Sequence, residues 1–559
     1  MTDTRDSLWA LFYENEAYAV DGERIMGRQA AGNSLLKAYA YSSHSNVGVY
    51  ARNKDCFNDF TSDFSGLLKK GIKKEISYIP WGNPSGISKF GGLYYPAPDI
   101  SRFVNQRFFF NDNSYSIVGV THTTASEQAI NSLIECYTTQ LKPWDAIIST
   151  SDSVKNSINN LYNQYSEILK DRLGATKKPN FELPVIPLGV HLDDYNFTDE
   201  EKKSSRKKLG IKENDIVVLF LGRLSFHAKA HYMPMYIALE NVKNNLPDGV
   251  DLHLIQTGWF PNPAIEKLYK DDSKTICPSV KCHFLDGRDI DEKKRSYASS
   301  DIFLSLVDNF QETFGLTPLE GMASGLPTVV SDWNGYKGTV RDGIDGFRLT
   351  TSTMEKGHGY ELALMHNLGV DTYDHYIGKA SQTVSINIKE CIDKISLLSL
   401  NKNLRLEMGT NARKRAEDFD WLKIITMYDE LKNELDLKRK SNLSDKKSFM
   451  PPISIQDPYT FFDDYPTFKL TPKCSVRISN TNKTDLVEFY NLPSISFLDK
   501  IAPDIDILKI IYNYTKNNNE LLVSEIINEI KYDERIIFRS ILWLSKYGYV
   551  EIVKSNEKK

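Results

Sequence analysis

Two carboxylates, two cations and an imidazole stand where they could act on one ligand. Glu312 and Glu320 lie eight residues apart in NFQETFGLTPLEGMASGLPTVVSD, on either side of Phe314-Gly315-Leu316. A glycine just ahead of a helix lets backbone N–H groups approach a phosphate closely, where the helix dipole favours negative charge. The flanking carboxylates can accept hydrogen bonds from hydroxyls, those of a sugar at one end and those of a ribose at the other. Upstream, Arg223 closes the apolar run IVVLFLG and Lys229 follows six residues later. A guanidinium fork and an ammonium point charge suit the two phosphates that join a ribose to a sugar. His122 directly follows another apolar run, SIVGV, and strand ends carry ligands in open α/β sheets. These residue types in this order fit a nucleoside diphosphate sugar.

The stretch from Glu312 to Val329 resembles the retaining GT-B glycosyltransferases, in the large group called family 4 or group 1. Their pattern of Glu-x-Phe-Gly-Leu, three residues, Glu, then Met-Ala and Gly-x-Pro-x-Val is met by Glu312, Phe314, Gly315, Leu316, Glu320, Met322, Ala323, Gly325, Pro327 and Val329. The resemblance extends over about 1–435 and is strongest at 300–350. It implies catalytic roles for His122, Arg223, Lys229 and Glu312, with the basic pair on the departing diphosphate, Glu312 on the transferred sugar and His122 reaching it from the other domain. It further implies that Phe314, Gly315, Leu316 and Glu320 border the donor. The family places its lysine five residues after the arginine, so this chain carries one extra loop residue. DGERIMGRQAAGNSLLKAYA, with Gly22, Gly27 and Gly32, resembles the family's first glycine-bearing loop and adds Gly27 and Arg28 as donor contacts. The expected reaction is retaining transfer from a nucleotide sugar, uridine diphosphate-linked in the leading case. The expected acceptor is a glycan or lipid-linked hydroxyl in bacterial surface polysaccharide or glycoconjugate synthesis, and no cofactor or metal is expected. A nucleotide-sugar epimerase or phosphorylase of the same fold is an alternative, as is a sugar-sensing regulator with a winged helix.

Positioning these residues requires alternating strands and helices. SLWALFY, NVGVYAR, EISYIP, SIVGVTH and DAIISTS read as strands of one half, and IVVLFLG, DLHLIQTG, CHFLDG, DIFLSLV and PTVVSD as strands of a second. Such alternation predicts parallel sheets covered by helices on both faces. The expected fold class is therefore α/β: a GT-B fold with two Rossmann-like domains facing a cleft, plus a small α-rich winged-helix-like domain. The boundaries fall at 1–205 for the acceptor-side domain and 206–420 for the nucleotide-sugar domain. A crossover helix at 421–440, a connecting segment at 441–500 and the winged-helix-like domain at 501–559 complete the chain.

Composition narrows the partners. With 559 residues, 41% of them apolar, the chain can build several cores, and a net charge of −4 supplies no field to recruit nucleic acid. Residues 501–559 hold nine basic and nine acidic side chains, which disfavours DNA binding and favours protein contact or dimerisation, with Trp543 as a candidate contact. FSGLLKKGIKKEI reads as a basic amphipathic helix able to rest on an anionic membrane. No signal peptide or membrane span is apparent, so the expected location is cytoplasmic, with peripheral membrane contact as an option. The pairs Asp289/Asp291 and Asp504/Asp506 read as helix caps rather than metal ligands.

Overall fold

In the computed structural model the described residues are 6–19, 27–108, 110–442, 456–496 and 503–554. They fall into two units, residues 1–451 and 452–559. The first unit contains two six-stranded sheets, every strand pair of which is parallel. The strands of the first are β1 (Ala10–Phe12), β2 (Asn46–Ala51), β3 (Glu75–Pro80), β4 (Gly92–Tyr95), β5 (Ser116–Thr121) and β6 (Ala146–Ser149), in the order β3-β2-β1-β4-β5-β6. Those of the second are β7 (Ile216–Leu221), β8 (Leu252–Gly258), β9 (Lys281–Asp286), β10 (Ile302–Ser305), β11 (Thr328–Ser331) and β12 (Gly346–Leu349), in the order β12-β11-β10-β7-β8-β9. Both orders describe one doubly wound topology, in which ligands bind beyond the carboxyl ends of the strands.

Helices cover both faces of each sheet, which explains why the central strands are continuous apolar runs rather than alternating ones. β7 reads IVVLFL and every residue is buried. The first sheet is held from below by a buried ion pair. Arg107 donates from Nη1 and Nη2 to the two oxygens of Asp145 at 2.6 and 2.7 Å, and neither side chain is exposed. Asp145 also accepts the backbone N–H groups of Ile117 (2.9 Å) and Lys142 (2.8 Å), and Arg107 also donates to the Tyr115 carbonyl.

The two sheets are joined by two chain crossings that pair with each other. Val190 N donates to the Phe419 carbonyl at 2.8 Å, and Trp421 N donates to the Val190 carbonyl at 3.2 Å. After the second crossing the helix Trp421–Ser441 returns to the first sheet, where Ile424, Tyr428, Leu431 and Leu435 join its core beside Trp9 and Tyr94. Trp421 Nε1 donates to Ser34 Oγ at 2.6 Å. The second domain also starts earlier than residue 206. The helix Asp199–Lys208 belongs to it, since Arg206 Nη1 bonds Asp301 at 3.0 Å.

The expected basic amphipathic helix over 64–76 does not form. The helix Lys54–Leu67 ends before the lysines, and Gly71 takes a positive φ of 90°. Lys74 turns inward to donate to the Ser42 carbonyl at 2.6 Å, while Lys69 lies over the Tyr41 ring. Among the described residues no helix is long and apolar enough to cross a membrane.

The second unit starts before residue 501, because part of the predicted connector is its central strand. Ser475–Ile478 pairs antiparallel with both Glu520–Leu522 and Val550–Val553. The helices Ile505–Asn517, Val523–Ile530 and Glu534–Lys546 pack Leu508, Ile511, Ile526, Ile537, Ile541 and Leu544 against Val476. Trp543 is not a free contact residue: its ring packs on Phe489, Tyr490 and Tyr547. Asp504 caps the helix Ile505–Asn517 by accepting Asp506 N–H at 2.8 Å, and Asp289 caps Ile290–Ser299 in the same way.

Candidate active site

β7 and β10 are neighbours at the centre of the second sheet, so the loops leaving their carboxyl ends meet. The first loop carries Arg223 and Lys229, and the second carries Glu312. Lys229 Nζ lies 2.5 Å from Glu312 Oε2, with both side chains at least four-fifths buried. Burial pushes the Glu312 carboxyl upward, but Lys229 and the backbone N–H groups of Thr313 and Phe314 outweigh it and hold it below the usual glutamate value. Glu312 is thus a carboxylate across the neutral range. Arg223 donates from Nη2 to the Ala228 carbonyl at 2.8 Å, which folds the loop around its guanidinium. Burial lowers its pKa, partly offset by Asp374 and Tyr373 on the neighbouring helix Tyr373–Ser381.

Gly315 makes the turn from Glu312 into the helix Leu316–Ala323. Its φ is 89°, and a Cβ there would stand 2.0 Å from Cε1 of Tyr336, a fully buried ring. Glycine is required on both counts. Gly315→Ala is expected to destabilise the protein by about 1–3 kcal/mol through overpacking and to reduce donor binding. Urea unfolding together with nucleotide titration checks both, and wild-type values in each would show that the turn relaxes freely. No side chain caps this helix start, which leaves its first N–H groups to an incoming anion. Phe314 itself is 3% exposed and packs in the core near Phe419. Its ring is part of the core. Leu316 is half-buried against the same core.

Glu320 sits at the far end of that helix, held by Lys293 Nζ at 2.8 Å and Tyr297 Oη at 2.6 Å. These bonds fix the carboxylate's direction.

The first sheet contributes His122, which follows β5. The Thr313 hydroxyl donates to the His122 carbonyl at 3.0 Å, so the residue next to Glu312 is bonded to the backbone that carries the imidazole. Ser151, after β6, donates to the Thr313 carbonyl at 2.8 Å. Burial and then the nearby Arg28 charge pull the His122 pKa down to about 4. A histidine that holds its proton less tightly folded than unfolded, where it titrates near 6.5, contributes stability present above that pH. The contribution is lost as pH falls from about 6.5 towards 4. Tm is therefore expected to decline across this window, and His122→Asn should make the decline shallower. It should not abolish it, because burial also holds His191 and His283 at about 4. An unchanged slope in thermal scans would contradict the assignment.

Gly27 and Arg28 open the helix Gly27–Tyr41. Gly27 has no atoms within reach of a Cβ, and Arg28 lies 4.0 Å from Glu16. Gly32 belongs to the fold rather than the loop: a Cβ there would meet the Ala17 carbonyl oxygen at 2.3 Å. Gly22 lies outside the described residues.

Several site residues are invisible in the motif. Asn334 turns at φ 42° and donates to the Glu312 carbonyl, and Asn-Gly before Tyr336 was the available signal. Burial raises Asp308, at the end of β10, to about 7, and His231 N–H offsets this in part. Among the described residues Asp215, Asp251 and His253 bring possible metal ligands within 4.8 Å. They lie at the opposite, amino ends of β7 and β8. Asp215 there accepts Lys212 and Asp251 N–H groups and Asp251 pairs with Lys281.

The fold is of the GT-B kind: two Rossmann-like sheets, with Arg223, Lys229 and two directed carboxylates on the loops and helix beyond the strands of the second. Residues 201–367 match the family described as glycosyl transferases group 1. Over 184 residues the chain is 28% identical to a D-inositol 3-phosphate glycosyltransferase of Geodermatophilus obscurus, covering 32% of this chain and 38% of that one. An uncharacterized glycosyltransferase of Methanocaldococcus jannaschii is 22% identical over 351 residues, 59% of this chain and 73% of its own. The sulfoquinovosyl transferase of Arabidopsis thaliana is 24% identical over 254 residues, 45% and 40% of the two chains. The chain thus aligns with well under half the length of two of these three relatives. Among solved structures, an Anabaena protein in complex with UDP and glucose is similar with a TM-score of 0.47 and 16% identity, over 76% of this chain and 99% of that one.

Proposed function

We propose that the chain transfers a hexosyl group from a nucleoside diphosphate sugar to an acceptor hydroxyl, with retention at the anomeric carbon. The observation that carries this reading is the contact of Lys229 with Glu312 beside the uncapped helix start at Gly315. In the proposed step the bond from the anomeric carbon to the diphosphate breaks, and charge gathers on the departing phosphate oxygen. Arg223, Lys229 and the N–H groups after Gly315 stabilise that charge. The acceptor oxygen bonds to the anomeric carbon on the same face, and its proton passes to the departing phosphate. Glu312 accepts hydrogen bonds from the transferred sugar, Glu320 from the ribose, and the neutral His122 contacts the sugar from the first domain. No metal takes part, the charge work falling to the two basic side chains. The family resemblance supports a setting in bacterial surface polysaccharide or glycoconjugate synthesis, with uridine diphosphate sugars the first donors to test.

The test is donor hydrolysis without acceptor across a panel of nucleotide sugars, with EDTA present in a parallel series and the products followed by NMR. Release from one donor, an α product from an α donor and indifference to EDTA would agree with the proposal. A β product would overturn retention, and loss of release in EDTA would overturn metal independence. Silence across the panel would count against the donor assignment itself.

A further inference from the structure

A cavity of about 580 Å3 lies beside the proposed donor site, within the range of about 300–1,000 Å3 usual for small-molecule sites. One wall comes from the helices Glu127–Thr138 and Asp152–Leu173 of the first domain. The other is the segment 353–383 of the second domain, with the helices Tyr360–Asn367 and Tyr373–Ser381. Phe310 and Trp333 line the end nearest the donor site, their rings edge to face at 5.2 Å. Two lining residues lead into the catalytic groups: Thr124 stands two positions after His122, and Asn334 donates to the Glu312 carbonyl. A molecule in this space therefore has its inner end beside the segments that carry His122 and Glu312.

The lining chemistry selects a class of molecule. Phe310, Trp333 and Tyr376 offer aromatic faces, which suit the C–H faces of a pyranose. The amides of Asn160 and Gln164 and the hydroxyls of Ser157 and Thr383 stand among them and can exchange hydrogen bonds with ring hydroxyls. No Lys, Arg or His is among the described lining residues, and Glu355 is the one carboxylate there. A phosphate, sulfate or anionic lipid headgroup would find no counter-charge. The segment 353–383 is also tied to the anion grip, through Tyr373 Oη at 3.5 Å from Gln311 Oε1 and Asp374 in the field of Arg223.

We infer that this cavity binds a neutral saccharide and is the acceptor subsite, roofed by residues 353–383. The inference rests on the transferase reading above. The roof meets both the acceptor space and the loops that carry Arg223 and Gln311.

The experiment measures binding of maltose, cellobiose, chitobiose and p-nitrophenyl hexosides to the full chain by ligand-observed NMR, with UDP present. The wild type is compared with Ser157→Trp, which fills the cavity from the exposed face of a helix, and with Tyr376→Ala. Donor hydrolysis without saccharide is followed in all three. At least one saccharide should bind the wild type and weaken tenfold or more in Ser157→Trp, while donor hydrolysis stays within about twofold. Binding that survives Ser157→Trp, or no binding by any saccharide of the panel, overturns the inference. Saccharide binding lost in Ser157→Trp with no donor hydrolysis in the wild type leaves a sugar site but overturns its acceptor role, separating that failure from the first.

Discussion

Glu312→Gln is expected to lower kcat for donor turnover by about 100- to 1,000-fold, the range seen when one preorganised polar group is removed from a reacting centre. The reason is geometric as much as electrostatic. The carboxylate accepts Lys229, and its backbone is held by Asn334 and, through Thr313, by His122. An amide keeps the shape but removes the charge that directs Lys229. The ammonium is then released towards the diphosphate in the ground state as well as in the transition state. Donor KM should therefore stay level or fall while kcat drops, a split that simple loss of binding would not give. Initial-rate kinetics with the donor found by the hydrolysis panel check this, with circular dichroism confirming the fold. A rate within threefold of wild type would remove Glu312 from the reaction.

The second large effect concerns stability. Asp145→Ala should destabilise the first domain by about 3–5 kcal/mol, because Arg107 would remain charged and buried without a counter-charge. Two backbone N–H groups, of Ile117 and Lys142, would lose their acceptor at the same time. Arg107→Leu combined with Asp145→Leu should restore part of the loss, since well-packed apolar residues often replace a buried pair at little cost. Urea unfolding of the single and double variants measures both. Equal destabilisation by the two would mean that the lost backbone bonds outweigh the orphaned charge.

Most of the second domain was legible because its strands are long apolar runs that end in functional residues. IVVLFLG delivers Arg223, and DIFLSLV leads to Glu312. β4 escaped notice because Gly92–Tyr95 is four residues long and buried throughout, too short for a period to register. The helix predicted over the lysines failed for the opposite reason. Apolar and basic residues recur at helical spacing there, but Gly71 and the inward turn of Lys74 end the pattern. In the site, Arg223, Glu312 and Gly315 could be read from local order alone. Thr313, Ser151 and Asn334 could not, since each acts through a partner at least 20 positions away in the chain. The cavity wall at 353–383 was equally silent, since its mixed polar and apolar residues carry no motif and the cavity arises only by packing between domains.

The helix Trp421–Ser441 has a consequence for the order of events in time. The first sheet is encoded before residue 150, yet the core on one of its faces is completed by Ile424, Tyr428, Leu431 and Leu435. During synthesis that face stays open until nearly the whole second domain has left the ribosome. The amino-terminal domain is thus begun first and finished last, with its apolar side waiting meanwhile for a segment not yet translated. A nascent chain in that state depends on chaperones or on rapid synthesis to avoid association with its neighbours.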